Sequence, residues 1–245
     1  MSKSVTTLTF FRYSTWYSRV WAFFQMQLAH AHLRSVEGLS FYKLMGSGRA
    51  LGFNPAPDWS VYALLAVWDN EASALHFWTN SDFSRRYRSN SHEQWVLFMK
   101  AIAVKGLWSG GNPFDTSTNL DDANPLIAVI TRATIRPRRL LDFWRYVPTS
   151  QKPIVEGCDG LIFTKGIGEV PLLQMATFSL WKDFGALKKF AYQTPEHRVA
   201  IEKTKQLDWY KEEMFARFQP YHSQGTWGGK VPLEGYLGSD SELPT

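Results

Sequence analysis

Apolar residues in this chain alternate with polar ones or run unbroken in some stretches, and recur every three or four positions in others, so the pattern sets out the elements. Residues 5–13, rich in Thr and Phe, read as a strand, and residues 15–35 carry Trp21, Phe24, Leu28 and His32 at helical spacing. Residues 38–44 and 59–68 are two apolar runs that pair as a hairpin across a Gly/Pro-rich connection. Residues 71–90 return to helical character and residues 95–108 form a long closing strand. The order is βαββαβ.

From Pro125 the pattern starts again. Residues 126–135 are strand-like, 137–147 helix-like, and 160–165 and 172–181 are two further strands. A second helix runs through 186–192, breaks at Thr194-Pro195 and resumes to Trp209, and residues 215–227 close the unit. Residue identities repeat with the order. Gly46-Ser47-Gly48 answers Gly166-Ile167-Gly168, Trp68-Asp69 answers Trp181-Lys182-Asp183, and the Gly/Trp run at 106–111 answers that at 225–229. Three matches in the same sequence point to duplication. The expected organisation is one repeat at 1–111, a polar linker at 112–124 and a second repeat at 125–245. The fold class is α+β: tandem ferredoxin-like repeats, each a four-stranded antiparallel sheet with both helices on one face. Two such sheets can cover each other, closing a pair of the dimeric α/β barrel type with an interior wide enough for a cofactor or hydrophobic ligand.

Composition sharpens the picture in one respect. With 11 Trp, 10 Tyr and 17 Phe in 245 residues, much ring surface must be buried or must cover a flat ligand. The single cysteine, Cys158, cannot form an intramolecular disulfide, and no stretch has the roughly 20 apolar residues of a spanning helix. No signal peptide is recognisable, so a cytoplasmic location is expected. The net charge of +5 comes from scattered Lys and Arg, with Arg136, Arg138 and Arg139 the only tight group, which argues against nucleic acid as a partner.

Few residues carry chemistry. The glycine run at 46–52 joins two strands, whereas a phosphate loop joins a strand to a helix, so it reads as a wide hairpin loop able to cover one barrel mouth. There is no Ser-His-Asp or nucleophilic-Cys arrangement and no CxxC or HExxH spacing. His197 stands out among the histidines: Thr194 can cap a helix, Pro195 suits its first position, and the helix dipole at the first turn favours a neutral imidazole. Such an imidazole can bind metal, with Ile201, Thr204 and Asp208 continuing its face; spacing alone favours an ordinary histidine bonded to a carbonyl. The remaining histidines read as surface or structural. Arg132, inside an apolar strand, must meet solvent or an anion, and an edge-strand salt bridge is the simpler of the two readings.

Phe41-Tyr42-Lys43-Leu44-Met45-Gly46-Ser47-Gly48 and the run at 52–69 resemble the spheroidene monooxygenase family of carotenoid biosynthesis. So do the runs at 166–173 and 176–181, His197-Arg198-Val199-Ala200-Ile201, the run at 209–218 and Trp227-Gly228-Gly229, so the resemblance spans both halves. It implies a monooxygenase that uses haem b and its iron, O2 and an electron donor to place a keto group near the end of an acyclic carotenoid, the protein supplying an axial ligand, a dry pocket and orientation. It makes His197 the candidate iron ligand, with Ile201 beside the cofactor, and Arg132 and Arg49 candidates for propionate or distal roles. Gln174-Met175 stands where the family pattern leads one to expect His-Gln, which puts a distal contact or substrate preference in doubt. The architecture also resembles the dimeric α/β barrel superfamily, where chlorite dismutases and dye-decolourising peroxidases hold haem in one half of a fused repeat. Alternatives are another haem reaction, peroxidase-like or aldoxime-dehydratase-like, and a non-catalytic carrier of haem or a hydrophobic ligand. A lipid-dissolved substrate admits peripheral contact at the inner membrane face, and a homo-oligomer is compatible with everything above.

Overall fold

The β-branched and aromatic runs form eight strands: β1 (Val5–Arg12), β2 (Leu39–Gly48), β3 (Pro57–Trp68), β4 (Glu93–Gly106), β5 (Ile127–Ile135), β6 (Leu161–Val170), β7 (Gln174–Trp181) and β8 (Tyr210–Gly225). In this computed structural model residues 4–49, 56–117, 119–146, 158–193 and 207–237 are described. The strands pair antiparallel and close into one barrel in the order β1-β3-β2-β6-β7-β5-β8-β4, leaving no edge. Each half contributes the local order 4-1-3-2, and the halves meet at two seams, β2 with β6 and β4 with β8.

Helices lie outside this barrel. The first half carries α1 (Trp16–Leu33), α2 (Glu71–Asn80) and α3 (Asp82–Asn90), and the second carries α4 (Leu140–Tyr146), entered through a 3₁₀ turn at Pro137–Arg139, and α5 (Phe184–Gln193). The expected single helix over 71–90 is split at Ser81, whose hydroxyl accepts the Ser84 amide at 3.0 Å and starts α3 afresh. No helix among the described residues is long and apolar enough to cross a membrane.

The lumen expected to hold a ligand is filled by side chains. Leu8, Phe10, Trp95, Leu97, Phe178 and Phe218 are fully buried there, and Phe10 lies 5.8 Å from Trp95 and 5.2 Å from Phe163, ring centroid to ring centroid. The strands' inward residues are too bulky to leave a hollow, because facing rings interdigitate at ordinary core density.

Two other expectations change. The Gly46-Ser47-Gly48 run is not loop: β2 continues through Gly48, and Gly46 pairs with Gly168 across the β2–β6 seam. The two Gly-x-Gly motifs therefore meet each other, and strand register aligns Gly46 with Gly168, two residues away from the motif match read in sequence. The polar stretch 112–124 is tied down on the barrel: Phe114 is buried, Thr116 bridges Ala101, and Gln219 exchanges hydrogen bonds with Asp121.

The repeated Gly/Trp runs close the two barrel ends in the same manner. Gly106 and Gly225 turn there with φ of 95° and 88°, and a Cβ on either would sit 2.1 Å and 2.0 Å from the carbonyl oxygens of Glu213 and Gln94 respectively. Beyond them Trp108 caps one end and Trp227 the other, each in a turn that supplies backbone amides to a carboxylate from the other half. Glu212 accepts from Ser109 and Gly110 at 3.0 and 2.7 Å, and Glu93 accepts from Gly228 and Gly229 at 3.0 and 2.7 Å.

Burial alone would raise these two carboxyls, but the paired amides, with Arg132 beside Glu212 and Arg12 beside Glu93, outweigh it and hold both below the usual range. A carboxyl with a lowered folded-state pKa stabilises the fold fully above its unfolded value and loses that contribution as pH falls through the folded one. The urea midpoint should therefore decline as pH drops below about 4, and a Glu93→Gln/Glu212→Gln variant should show a shallower decline. Equal pH slopes for variant and wild type would refute this assignment.

Candidate functional site

Alternation along each strand puts every second residue on the outer face, beneath the helices. In the first half that layer is continuous and bulky: Phe11, Leu44, Leu64 and Phe98 are all buried against the helices, with Trp68, Phe77 and Trp78 in the same cluster. Strand register assigns each of these a counterpart in the second half, since Val5 opposes Trp68 as Ile127 opposes Trp181. The counterparts are Ala133 for Phe11, Gly166 for Leu44, Thr177 for Leu64 and Arg217 for Phe98. At these four positions the layer has lost more than half of its side-chain bulk and gained a hydroxyl and a guanidinium, whereas Trp68 is matched by Trp181 and Val96 by the larger Phe215.

The two ends of this thinned layer are sealed. Ile135, Phe143, Met175 and Trp209 pack together under α4, and Val129, Trp181, Ala186 and Leu187 pack under α5. Between these clusters lie half-buried Thr131, Thr177 and Arg217 and buried Ala133 and Gly166. The Arg217 guanidinium stands 5.3 Å over the Phe184 ring of α5, and its buried Nε donates to no acceptor among the described residues. Such a donor can pair with a carboxylate, and the Nε of Arg132 is in the same state. A flat ligand bearing carboxylates would find small side chains for its ring here and a guanidinium for a carboxylate.

Arg132 is placed elsewhere. Its strand is paired on both sides, so the edge-strand setting expected for it does not exist, and its side chain, 3% exposed, enters the lumen where Phe10 stands in the first half. There it is bonded to Glu212, lies 3.6 Å from Glu169 and 5.6 Å over the Trp108 ring. Glu169 in turn takes 2.6 Å and 2.7 Å contacts from Lys43 and the Trp108 indole. Arg132 thus faces away from the thinned layer with protein carboxylates already around it. Arg49 is exposed at the β2–β3 hairpin, bonding the carbonyls of Ala56 and Pro57. The structure gives Arg49 and Arg132 separate partners and does not bring them together. His197 and Ile201 lie outside the described residues, in the connection from α5 to β8. Among the described residues no group of three His, Cys, Asp or Glu could hold a metal ion. His30 bonds Tyr42 at 3.0 Å and His222 packs 5.2 Å from Phe98, as structural histidines do.

Arg217 was legible in sequence only by aligning the closing strands through Gly106 and Gly225, which sets Arg217 opposite Phe98. A lone Arg between Ala216 and Phe218 otherwise looks like an ordinary outward residue of an alternating strand.

No protein-family model matches the chain. It is similar to the spheroidene monooxygenase of Rhodobacter capsulatus, 36% identical over 231 residues that cover 94% of this chain and 95% of that protein. It is also similar to the spheroidene monooxygenase of Cereibacter sphaeroides, 33% identical over 240 residues covering 97% and 74% of the two chains. Among solved structures, an aldoxime dehydratase in complex with butyraldoxime superposes with a TM-score of 0.62 at 11% identity, over 94% of this chain and 85% of that one, a likeness of fold alone.

Proposed function

This chain belongs to the spheroidene monooxygenase family, and from that premise we propose that it is a haem-dependent monooxygenase that introduces a keto group into an acyclic carotenoid. The substrate is hydrophobic and the co-substrates are O2 and electrons from a donor. The two halves, 1–111 and 125–245, are tandem ferredoxin-like units joined through 112–124, and the cofactor belongs to the second. The observation that carries this reading is the thinned outer layer of the second half, with the buried Nε of Arg217, which has no acceptor among the described residues, in the same layer as Ala133, Gly166 and Thr177.

When bound, haem would supply the activation of O2 that no side chain can perform. The chain's own residues do the rest. Arg217 would hold a propionate as a charge-assisted pair. Ala133 and Gly166 would leave room for the ring against the sheet, and the apolar clusters under α4 and α5 would keep water from its two sides. His197, on the connection that returns from α5 to β8, would be the residue that ligates the iron, with Ile201 a further cofactor-binding residue. Arg49 remains a candidate for a distal or propionate role at the rim, and Arg132 supports the barrel behind the site. A substrate dissolved in lipid places the enzyme at the inner face of the membrane while it works.

Haemin titration of the purified protein should give a Soret band at one equivalent, and reductant, O2 and an acyclic carotenoid should then give a ketone carrying oxygen from labelled O2. His197→Ala should abolish the native Soret spectrum; a folded His197→Ala protein with an unchanged spectrum would remove the ligand assignment. Haemin and carotenoid bound without product would make the protein a carrier, and turnover of an aldoxime or peroxide without a carotenoid product would assign another haem reaction.

A further inference from the structure

We propose that the outward face of α1 is a docking surface for an anionic phospholipid bilayer. The helix is inside out by the usual rule. Its barrel-facing side is Ser18, Ala22, Gln25, Ala29 and Leu33, all buried, whereas Trp16, Tyr17, Val20, Phe23, Phe24 and Leu28 point to solvent. At 100° per residue those six fall on one continuous strip, and Trp59 of β3 extends it, 5.7 Å from Phe23. Trp16 is 76% exposed and Leu28 63%. The patch is on the order of 800 Å², beyond the few hundred that soluble monomers usually leave open.

Charge selects the occupant. Residues 14–36 contain no Asp or Glu, while exposed Arg19 and Arg34 stand near the two ends of α1. Exposed Arg86 belongs to α3, which packs beside α1 through the Trp21–Tyr87 contact at 5.0 Å. A second copy laid on this face by a two-fold axis would set arginine against arginine with no helix carboxylate between them. Anionic head groups neutralise those arginines, acyl chains take Phe23, Phe24 and Leu28, and the Trp and Tyr rings suit the boundary between the two. The helix would lie flat, with the barrel above it. This inference needs neither the cofactor nor the carotenoid, so it stands or falls separately from the proposed reaction.

The test is co-sedimentation of the full chain with vesicles of phosphatidylcholine containing about one third phosphatidylglycerol, at low and high salt. The wild type should bind, and Phe24→Ser/Leu28→Ser should weaken partitioning by at least ~10-fold with an unchanged melting curve, since both side chains are exposed. Trp16→Gln offers a second variant at the other end of the strip, should the first be poorly folded. Arg19→Gln/Arg34→Gln should lose about tenfold at low salt and little at high salt. Absence of wild-type binding, or variants that bind as the wild type does, would overturn the proposal. So would a wild-type dimer in light scattering that Phe24→Ser/Leu28→Ser separates, which would assign the face to a second copy.

Discussion

Replacing Arg217 by Phe and Thr177 by Leu is expected to give a protein that folds at least as well as the wild type and takes up haemin at least ~100-fold less tightly. The substitutions restore, in the second half, the residues that the first half carries at the matching positions, Phe98 and Leu64. The backbone that must accept them has the same strand order and pairing as one that already buries them without strain. Removing a half-buried guanidinium whose Nε has no acceptor among the described residues, and burying a ring in its place, should add about 1 to 2 kcal/mol of stability. The same change fills the layer and deletes the propionate partner, so stability and cofactor uptake should move in opposite directions. Soret titration and urea unfolding read the two effects separately. Undiminished haemin affinity in a folded variant would show that the thinned layer is not the cofactor site.

Arg132→Met is expected to cost about 3 kcal/mol, or roughly 6 to 12 °C in Tm for a chain of this size. Removing one member of a buried ionic group leaves the others uncompensated, and Arg132 is the cation between Glu212 and Glu169 inside the barrel. The loss is held near the lower end of the usual range because Glu212 keeps its two backbone amides and Glu169 keeps Lys43. Neutralising the carboxylates as well, in Arg132→Met/Glu169→Gln/Glu212→Gln, should recover part of the loss, since no unpaired charge then remains. A cost below 1 kcal/mol for the single substitution, measured by urea unfolding, would mean that this network contributes little.

These two arginines show how much of the site the chain discloses in advance. Arg132 draws attention because a charge interrupts an apolar run, yet the lumen supplies its partners and turns it away from the thinned layer. Arg217 draws none, because a polar residue between Ala216 and Phe218 suits an alternating strand. Its meaning lies in the comparison with Phe98, a residue more than 100 positions earlier, which the alignment through Gly106 and Gly225 offers and the strand register fixes. The helix α1 misleads in a similar way. The spacing of Phe24 and Leu28 correctly signals a helix, but both point outward, because the side of α1 that packs on the sheet is the strip of Ala22, Ala29 and Leu33, with Trp21 and Met26 beside it.

Local chemistry, written residue by residue, was sufficient for most of the elements among the described residues, their order and the matched Gly/Trp turns, because periodicity, β-branching and the conformational demands of Gly act over a few neighbours; the helix expected to resume after Pro195 lies mostly outside the described residues. Closure into a barrel was also expected from the two sheets, but the packed lumen, the meeting of the two Gly-x-Gly runs and the assignment of the thinned layer to the second half's outer face were decided by tertiary structure. Those features depend on which distant strands pair and on which side of a sheet each ring falls, and a one-residue shift of register would reverse every one of those sides.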